Sequence, residues 1–390
     1  MSVVGIVANP IVVPLMGWGA LGCGLVGLVL APLTAAVSTP AFWLSGLCVR
    51  LSLAVATALS DLPWAVVPVG WRTALICSTG VTCGALPAPC FRHRIGRALV
   101  GAVLASALGI AASDPAPPLR VSFLDVGQGD AALVELGADL RFTVDGGGLA
   151  RGREPGDRVL LPALRGRGIE RLDGSVISHA EWDHFGGIET LVREGKTAAV
   201  WWAGRRGESG AWRRFERALA EREIPLRVAR PGRFPSLARA HGAIDVLHPA
   251  TTFEPISAND SSLVFLVRYG ATSVLFTGDI EAQGEAALLA GSGSLGATVV
   301  KVPHHGSATS SGTGFVRGAA PALAVASLGR GNAFRFPADA VVERYRRVGS
   351  EWTGTDRAGE VIVESDGQLV RVEGCRSMSG GDQPGGPSRW

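Results

Sequence analysis

The chain has 390 residues, enough for about two or three domains. Residues 1–112 hold five arginines, one acid and no lysine, a net charge of +4; the whole chain is +3, so the remainder sums to −1. The slight basicity therefore belongs to the apolar first part and does not indicate nucleic-acid binding. The six cysteines form no C-x-x-C pair, which argues against a zinc knuckle or a thioredoxin-like site.

Residues 1–112 are predicted to be membrane helices. Residues 11–37 contain no charged side chain, and this run is longer than the roughly 20 residues that cross a bilayer as a helix. Further candidates bring the prediction to three or four segments: 41–60, which is either a span or an interfacial helix with Arg50 midway, 64–86 and 98–112. The alternative is a very hydrophobic soluble helical domain.

A basic cluster predicts the orientation in the membrane. Arg92, His93, Arg94 and Arg97 lie between the last two apolar segments. Because cytoplasmic loops are enriched in arginine and lysine, the cluster predicts that the following domain lies on the extracytoplasmic side. The chain begins almost directly in a span, which suggests the C-terminal portion of a longer membrane protein. A proline-rich linker at 113–118 follows.

The soluble part opens with strand patterns that end in acid–glycine turns. The predicted strands are 121–126, 131–136 and 140–144. Asp125, Asp130 and Asp145 are expected near one rim of a sheet. Each could instead cap its own turn, and for Asp130 and Asp145 both interpretations stay open.

The strongest motif is S-H-A-E-W-D-H-F-G-G at 178–187, directly after a predicted strand at 174–177. It holds His179, Glu181, Asp183 and His184, and its glycine pair (186–187) is interpreted as a turn into a helix. Ligand-type side chains on a loop at a strand end predict a metal site.

A second run of elements repeats this design. A predicted hairpin at 263–277 ends at Gly278-Asp279, and a strand at 298–302 is followed by His304 and His305. Strands and helices continue to 373. The pattern predicts two sheets with helices outside, and a disordered tail at 374–390. A basic helix at 211–223 carries interleaved acids and is interpreted as a solvated face.

Imidazole and carboxylate groups suit Zn²⁺, Mn²⁺ or Fe²⁺. Two ions bridged by Asp279 would clamp the attacking and leaving oxygens of a phosphodiester. Asp183 would bind metal or orient the nucleophile. His241 and His248 are interpreted as structural.

H-A-E-W-D-H resembles the H-x-[HED]-x-D-H signature of the metallo-β-lactamase fold. Further motifs extend the likeness: F-L-D-V-G-Q-G-D, D-G-G, N-D-x-S-L-V, L-F-T-G-D-I, V-x-H-H-G-S and T-D-R-x-G. Over residues 119–365 the set resembles the C-terminal domain of ComEC-type DNA-internalisation (competence) proteins. A-N-P-I-V-V-P-L at 8–15 resembles the end of that family's competence membrane domain.

The resemblance implies an α/β fold, in its α+β four-layer αββα form, over 119–373. It implies a metal-dependent phosphodiesterase or nuclease in DNA uptake during natural transformation, which degrades the strand that is not transported. It also implies two divalent metal ions (Zn or Mn). The implied partners are DNA as single strand or duplex, the membrane and other DNA-uptake proteins, and a homo-oligomer is left open. Carried over residue by residue, the implied metal ligands are His179, Glu181, Asp183, His184, Asp279, His304 and His305, with Asp183 and His184 as catalytic residues.

The sequence departs from the family at two places. Glu181 replaces a histidine or aspartate, and Phe336 replaces a histidine in N-x-x-x-H-P, which removes a ligand or phosphate contact. Without a third-segment histidine, one ion would be under-coordinated or would use Asp260 or water. The alternatives are a hydrolase of this fold acting on a β-lactam, thioester or phosphonate, and a truncated non-catalytic remnant.

Overall fold

A computed structural model describes residues 4–32, 34–60, 118–137, 140–148, 155–234, 242–292, 295–374 and 388–389. The chain forms two compact units, one within residues 1–115 and the other in the remainder. The predicted membrane segments at 64–86 and 98–112, the linker up to residue 117 and His241 lie outside these described residues. The predicted domain limits therefore stay predictions.

The first unit is helical and apolar. Helix α1 (Val4–Pro14) continues through a π-helical segment (Leu15–Gly22) into α2 (Cys23–Leu30), and α3 (Ala35–Ser60) follows a short turn. Two stretches are long and apolar enough to cross a membrane, Ile11–Leu30 and Ala35–Leu59. Their surfaces are largely exposed apolar side chains.

The uncharged run 11–37 does not form a single helix, because α2 ends at Leu30 and α3 begins at Ala35. Ser38, Thr39 and Pro40, which follow this uncharged run in the sequence, lie in the first turns of α3. The Thr39 hydroxyl donates a hydrogen bond of 2.6 Å to the carbonyl of Ala35. Pro40 lies inside α3, where it has no amide to donate to the carbonyl of Ala36.

The second unit contains two mixed sheets. Its strands are β1 (Leu119–Phe123), β2 (Ala132–Leu136), β3 (Leu140–Val144), β4 (Gly174–Ile177), β5 (Val200–Trp202), β6 (Leu226–Val228), β7 (Gly232–Arg233), β8 (Ala243–His248), β9 (Val264–Tyr269), β10 (Thr272–Phe276), β11 (Val299–Lys301), β12 (Leu323–Ala326), β13 (Glu351–Gly354), β14 (Val361–Ser365), β15 (Val370–Glu373) and β16 (Ser388–Arg389). The first sheet runs β16-β15-β14-β1-β2-β3-β4-β5-β6 and the second β13-β12-β11-β10-β9-β8-β7. Strands β3 to β6 are parallel to one another, as are β10 to β13.

Helices cover the outer faces of the sheets. They are α4 (Leu161–Gly166), α5 (Trp182–Arg193), α6 (Gly210–Glu221), α7 (Ala282–Ser292), α8 (Thr313–Ala319), α9 (Asp339–Arg347) and α10 (Thr355–Ala358). One apolar core lies between the sheets, where the rings of Phe123 and Phe276 meet at 6.0 Å. Two further cores join α5 and α6 to the first sheet and α7, α8 and α9 to the second. The predicted four-layer αββα architecture is confirmed.

Several local predictions need correction. The glycine pair at 186–187 is not a turn, because both residues lie inside α5. The first strand ends at Phe123 rather than at residue 126. Of the predicted disordered tail, only residues 374 and 388–389 are described, and the latter two pair with β15.

Candidate metal centre

The site lies where several strands end at one edge of the two sheets. His179 and His184 follow β4, and Asp279 follows β10. His305 follows β11 in a short 3-10 turn, and its own φ is 54°. Parallel strands bring their carboxyl ends to a common edge, so ligand-type residues distant in sequence meet there.

His184 is fixed from behind by a buried acid. Its Nδ1 lies 3.0 Å from Oδ2 of Asp145, and the other oxygen of Asp145 accepts a 2.8 Å hydrogen bond from the Ser178 amide. Its Nε2 then faces Oδ2 of Asp279 at 3.2 Å. A carboxylate that holds the far nitrogen of an imidazole is the usual support of a metal-ligating histidine.

Asp279 and Asp183 bring the second histidine into the same cluster. Nε2 of His305 lies 3.3 Å from Oδ2 of Asp279 and 3.6 Å from Oδ2 of Asp183. Its Nδ1 lies 2.8 Å from the carbonyl oxygen of Ser327 and 3.1 Å from Asp130. Donor atoms of Asp183, His184 and His305 lie within 4.8 Å of one another, as do those of His179, His184 and Asp279.

The donor set fits a divalent ion. The Nε2 atoms of His179 and His305 are buried and make no hydrogen bond. A buried polar atom without a partner is costly, and both atoms face carboxylate oxygens, an arrangement that a cation would satisfy. The residues at the centre therefore match the chemistry of a bound metal.

A buried lysine completes the charge balance. The Lys301 ammonium contacts a carboxylate oxygen of Asp130, lies 3.3 Å from Oδ1 of Asp279, and donates to the carbonyl of Gly278 at 2.9 Å. Burial alone would lower the pKa of Lys301, but the charges of Asp130 and Asp279 raise it instead. The lysine thus stays charged and neutralises part of the acid cluster.

The acids and histidines shift one another's pKa in opposite directions. Burial alone would raise the pKa of Asp279, but the charges of His305 and His184 hold it well below its ordinary value. Burial likewise disfavours charged His184, yet Asp279 and Asp145 raise its pKa well above the usual range. Metal binding would have to displace protons from this cluster.

Glu181 and His304 stay at the rim of the centre. Glu181 has a 48% exposed side chain, and its Oε2 lies 3.9 Å from Nε2 of His179. Nδ1 of His304 lies 3.2 Å from Oε1 of Glu281, away from the buried cluster. The structure therefore brings five of the seven candidate residues together closely: His179, Asp183, His184, Asp279 and His305.

The other candidate aspartates differ in whether they lie in the metal centre. Asp130 and Asp145 lie within the centre, whereas Asp125 is exposed and accepts a hydrogen bond from the Gly127 amide, as an Asx turn does. Asp260 is committed elsewhere, since its Oδ1 accepts from the amides of Glu281 and Gly284 at the start of α7. It does not supply the missing ligand.

The contacts of His248 agree with its predicted structural role. Its Nε2 donates 2.8 Å to the carbonyl oxygen of Asp260, and its ring packs against Phe253. Burial lowers the pKa of His248, although the hydrogen bond to the Asp260 carbonyl acts in the opposite direction.

Glycines allow the D-G-G-G turn at residues 145–148 to pack closely against α5. A Cβ on Gly187 would lie well inside 3.0 Å of the Gly146 carbonyl, and one on Gly148 would overlap the backbone of Asp183. The Gly146 amide donates 2.6 Å to the carbonyl of His184. These contacts hold the turn that follows Asp145 against the first half of α5, which explains the glycines that the sequence pattern alone assigned to turns.

Lys301 is the main residue that sequence reasoning missed. A signal was present, because T-V-V-K-V places a lone charge inside an apolar strand, and a buried lysine requires an acidic partner. Ser178 and Ser262, whose hydroxyls lie 3.0 Å and 3.4 Å from Nδ1 of His179, carried no such signal.

Comparison with known proteins agrees with the geometry. Residues 124–317 match the metallo-beta-lactamase superfamily, so the second unit contains a metallo-beta-lactamase domain. Residues 1–93 match the family described as competence protein. The combination identifies the chain as a relative of the ComEC-type competence proteins, and the predicted resemblance is confirmed.

Curated relatives extend beyond this chain. ComE operon protein 3 of Bacillus subtilis is 30% identical over 254 residues, which is 62% of this chain and 32% of the relative. Recombination protein 2 of Haemophilus influenzae is 31% identical over 262 residues, 67% of this chain and 31% of the relative. The chain thus spans about a third of the length of these relatives. Among solved structures, the metallo-beta-lactamase fold protein YhfI from Bacillus subtilis aligns with a TM-score of 0.39 and 13% identity, covering 62% of this chain and 96% of that one.

Proposed function

We propose that the protein takes part in DNA uptake and that its second unit hydrolyses DNA phosphodiester bonds with divalent metal ions. The observation that carries this proposal is the buried convergence of His184, Asp279 and His305, with an unpartnered Nε2 on His305. Kinship with competence proteins supports DNA as the substrate.

Two ligand sets are proposed for Zn or Mn ions. Asp183, His184 and His305, with Asp279, would hold the first ion. His179 and Glu181, with Asp279, would hold a second, and the exposure of Glu181 makes this set the weaker one. His304 would act at the rim rather than as a ligand. Such ions, when bound, polarise a phosphodiester and activate water.

The chain's own residues perform the remaining work. Asp145 keeps Nε2 of His184 directed into the site, and Lys301 holds Asp130 and Asp279 ionised. Asp183 is the catalytic candidate beside His184, because its side chain is 37% exposed and its carboxylate faces both the centre and solvent. It is placed to orient the attacking water.

The two-span segment is proposed to anchor the domain in the membrane, with the domain on the extracytoplasmic side as the Arg92–Arg97 cluster predicts. On that side it would meet incoming DNA before the membrane. Other DNA-uptake proteins and further copies of the chain are the proposed partners.

The test is hydrolysis of end-labelled single-stranded and duplex DNA by the full chain in detergent, with Mn²⁺ or Zn²⁺. We expect cleavage that chelation abolishes and that Asp183→Ala reduces by at least about 100-fold. Equal residual cleavage by wild type and variant would reject the nuclease. Hydrolysis of small esters or β-lactams without DNA cleavage would favour another hydrolase.

A further inference from the structure

An aromatic pair stands beside the metal centre. The rings of Phe334 and Phe336 stack with centroids 5.5 Å apart and 16° between their planes. Phe334 is 64% exposed. Single exposed apolar residues are ordinary in proteins, so the exposure alone carries no meaning.

The loop that carries the pair is braced. The Asn332 side chain donates to the carbonyls of Gly329 and Phe336 and accepts a 2.9 Å hydrogen bond from the Phe336 amide. The Ala338 amide donates 2.9 Å to the carbonyl of Gly306, which ties the loop to the H-H-G turn. The exposed ring is therefore held on a rigid support.

The pair leads from the histidines toward solvent. The Phe336 ring lies 6.5 Å from the ring of His305 and 5.8 Å from that of His304. Phe334 stacks on the Phe336 ring and is the more exposed of the two. A nucleotide whose phosphate reaches the metal centre would thus have its base, or the neighbouring base, within reach of an aromatic face.

The charge of the loop suits a polyanion. Residues 329–337, G-R-G-N-A-F-R-F-P, include two arginines and no acid. Arg330 and Arg335 are both exposed, and Arg330 donates through Nε to the carbonyl of Asp356, which holds its guanidinium at the loop. Aromatic faces interleaved with arginines are the usual means of binding single-stranded nucleic acid, whose bases are free to stack.

We propose that Phe334, backed by Phe336, is a stacking platform for an unpaired DNA base next to the phosphate at the metal centre. The platform selects single strands over duplex, because paired bases do not present their faces. This inference rests on the proposed function and adds the substrate form. Phe334 is a specificity residue, since the chemistry does not require it.

Binding separates the platform from cleavage. The full chain carrying Asp183→Asn, in detergent, is titrated with a labelled oligo(dT) of about 20 nucleotides and with an abasic strand of equal length. We expect oligo(dT) to bind roughly 10-fold more tightly than the abasic strand, and Phe334→Ala to abolish this preference without weakening abasic binding. Phe334→Trp should restore it. Val228→Ala, which removes another exposed apolar side chain on β6, should change nothing.

Equal affinity for both strands in the Asp183→Asn protein would overturn the platform, and so would equal loss of both in Phe334→Ala. Unchanged DNA affinity in Phe334→Ala would overturn it too and would point to a lipid or protein contact. Base-dependent binding without any cleavage by the wild type would retain the platform and reject the nuclease. Cleavage by the wild type without a preference for oligo(dT) over the abasic strand would retain the nuclease and reject the platform.

Discussion

The ammonium of Lys301 lies 3.3 Å from Oδ1 of Asp279, while Oδ2 of the same carboxylate faces the Nε2 atoms of His184 and His305. One oxygen therefore binds a permanent internal cation, and the other faces the proposed metal ligands. Lys301 thus fixes the Asp279 carboxylate through Oδ1 and leaves Oδ2 facing the two histidines.

Replacing this lysine should destabilise the domain. Lys301→Met leaves Asp130 and Asp279 buried without their cation. We expect this to lower the free energy of unfolding by about 3–5 kcal/mol. We expect a lower thermal midpoint in tryptophan fluorescence of the full chain in detergent, partly restored by Mn²⁺. The sequence's other lysine supplies a control, Lys196→Met, which should leave the midpoint unchanged. A stable Lys301→Met protein would show that the acids are not charged in the fold.

The orienting acid should control metal affinity. In Asp145→Asn, an amide replaces the carboxylate that supports both His184 and the Ser178 amide. We expect about 10- to 100-fold weaker metal binding in equilibrium dialysis, with the fold retained. Asp245→Asn disturbs only a surface pair with Arg268 and serves as the control. Unaltered affinity in Asp145→Asn would remove Asp145 from the support of the site.

Substitution by alanine should have opposite effects on stability at two helical glycines, Gly187 and Gly291. Gly187→Ala forces a Cβ into the Gly146 carbonyl. We therefore expect the free energy of unfolding to fall by roughly 1–3 kcal/mol or more and the candidate metal centre to be displaced. Gly291 lies in α7 with open space around it, and Gly291→Ala should stabilise the protein by about 0.5–1 kcal/mol. Thermal midpoints measure both. Equal responses would contradict the close approach of the D-G-G-G turn to α5.

Glu285 should give a pH dependence of stability. Burial raises its pKa to about 7, although the amides of Gly312 and Ser311 donate to it and lower the value in part. The folded state therefore holds this proton more tightly than the unfolded state, so its contribution is full below about pH 4.5 and falls as pH rises through 7. The full difference is roughly 3 kcal/mol.

Comparison with Glu285→Gln isolates this contribution. The stability of the wild type relative to the variant should fall between about pH 5 and pH 8, measured from thermal midpoints. Glu221→Gln, at an exposed position on α6, should track the wild type. Parallel pH profiles for wild type and Glu285→Gln would show that this carboxyl titrates normally.

Much of the fold was predictable because the elements are short and sharply bounded. Apolar runs that end in Gly278-Asp279 or in His304-His305 mark strand ends, and parallel strands collect such ends at one edge. That pattern also predicted that Asp279 and His305 would lie near His184.

Tertiary contacts decided what the sequence could not. Gly186 and Gly187 resemble a turn, but they lie inside α5 because the neighbouring loop needs the space a side chain would fill. Asp130 and Asp125 follow similar strand ends, yet only Asp130 meets Lys301. The two adjacent histidines both adopt positive φ, yet only His305 is buried in the cluster, a difference that the sequence pattern did not predict.

Metal stoichiometry of the full chain, measured by elemental analysis after dialysis against Zn²⁺ or Mn²⁺, tests the central claim most directly. We predict about one tightly bound equivalent and a second, weaker one, with both lost in Asp279→Asn and neither in the surface control Asp125→Asn. Less than about 0.2 equivalents in the wild type, or equal content in wild type and Asp279→Asn, would contradict the proposed metal centre.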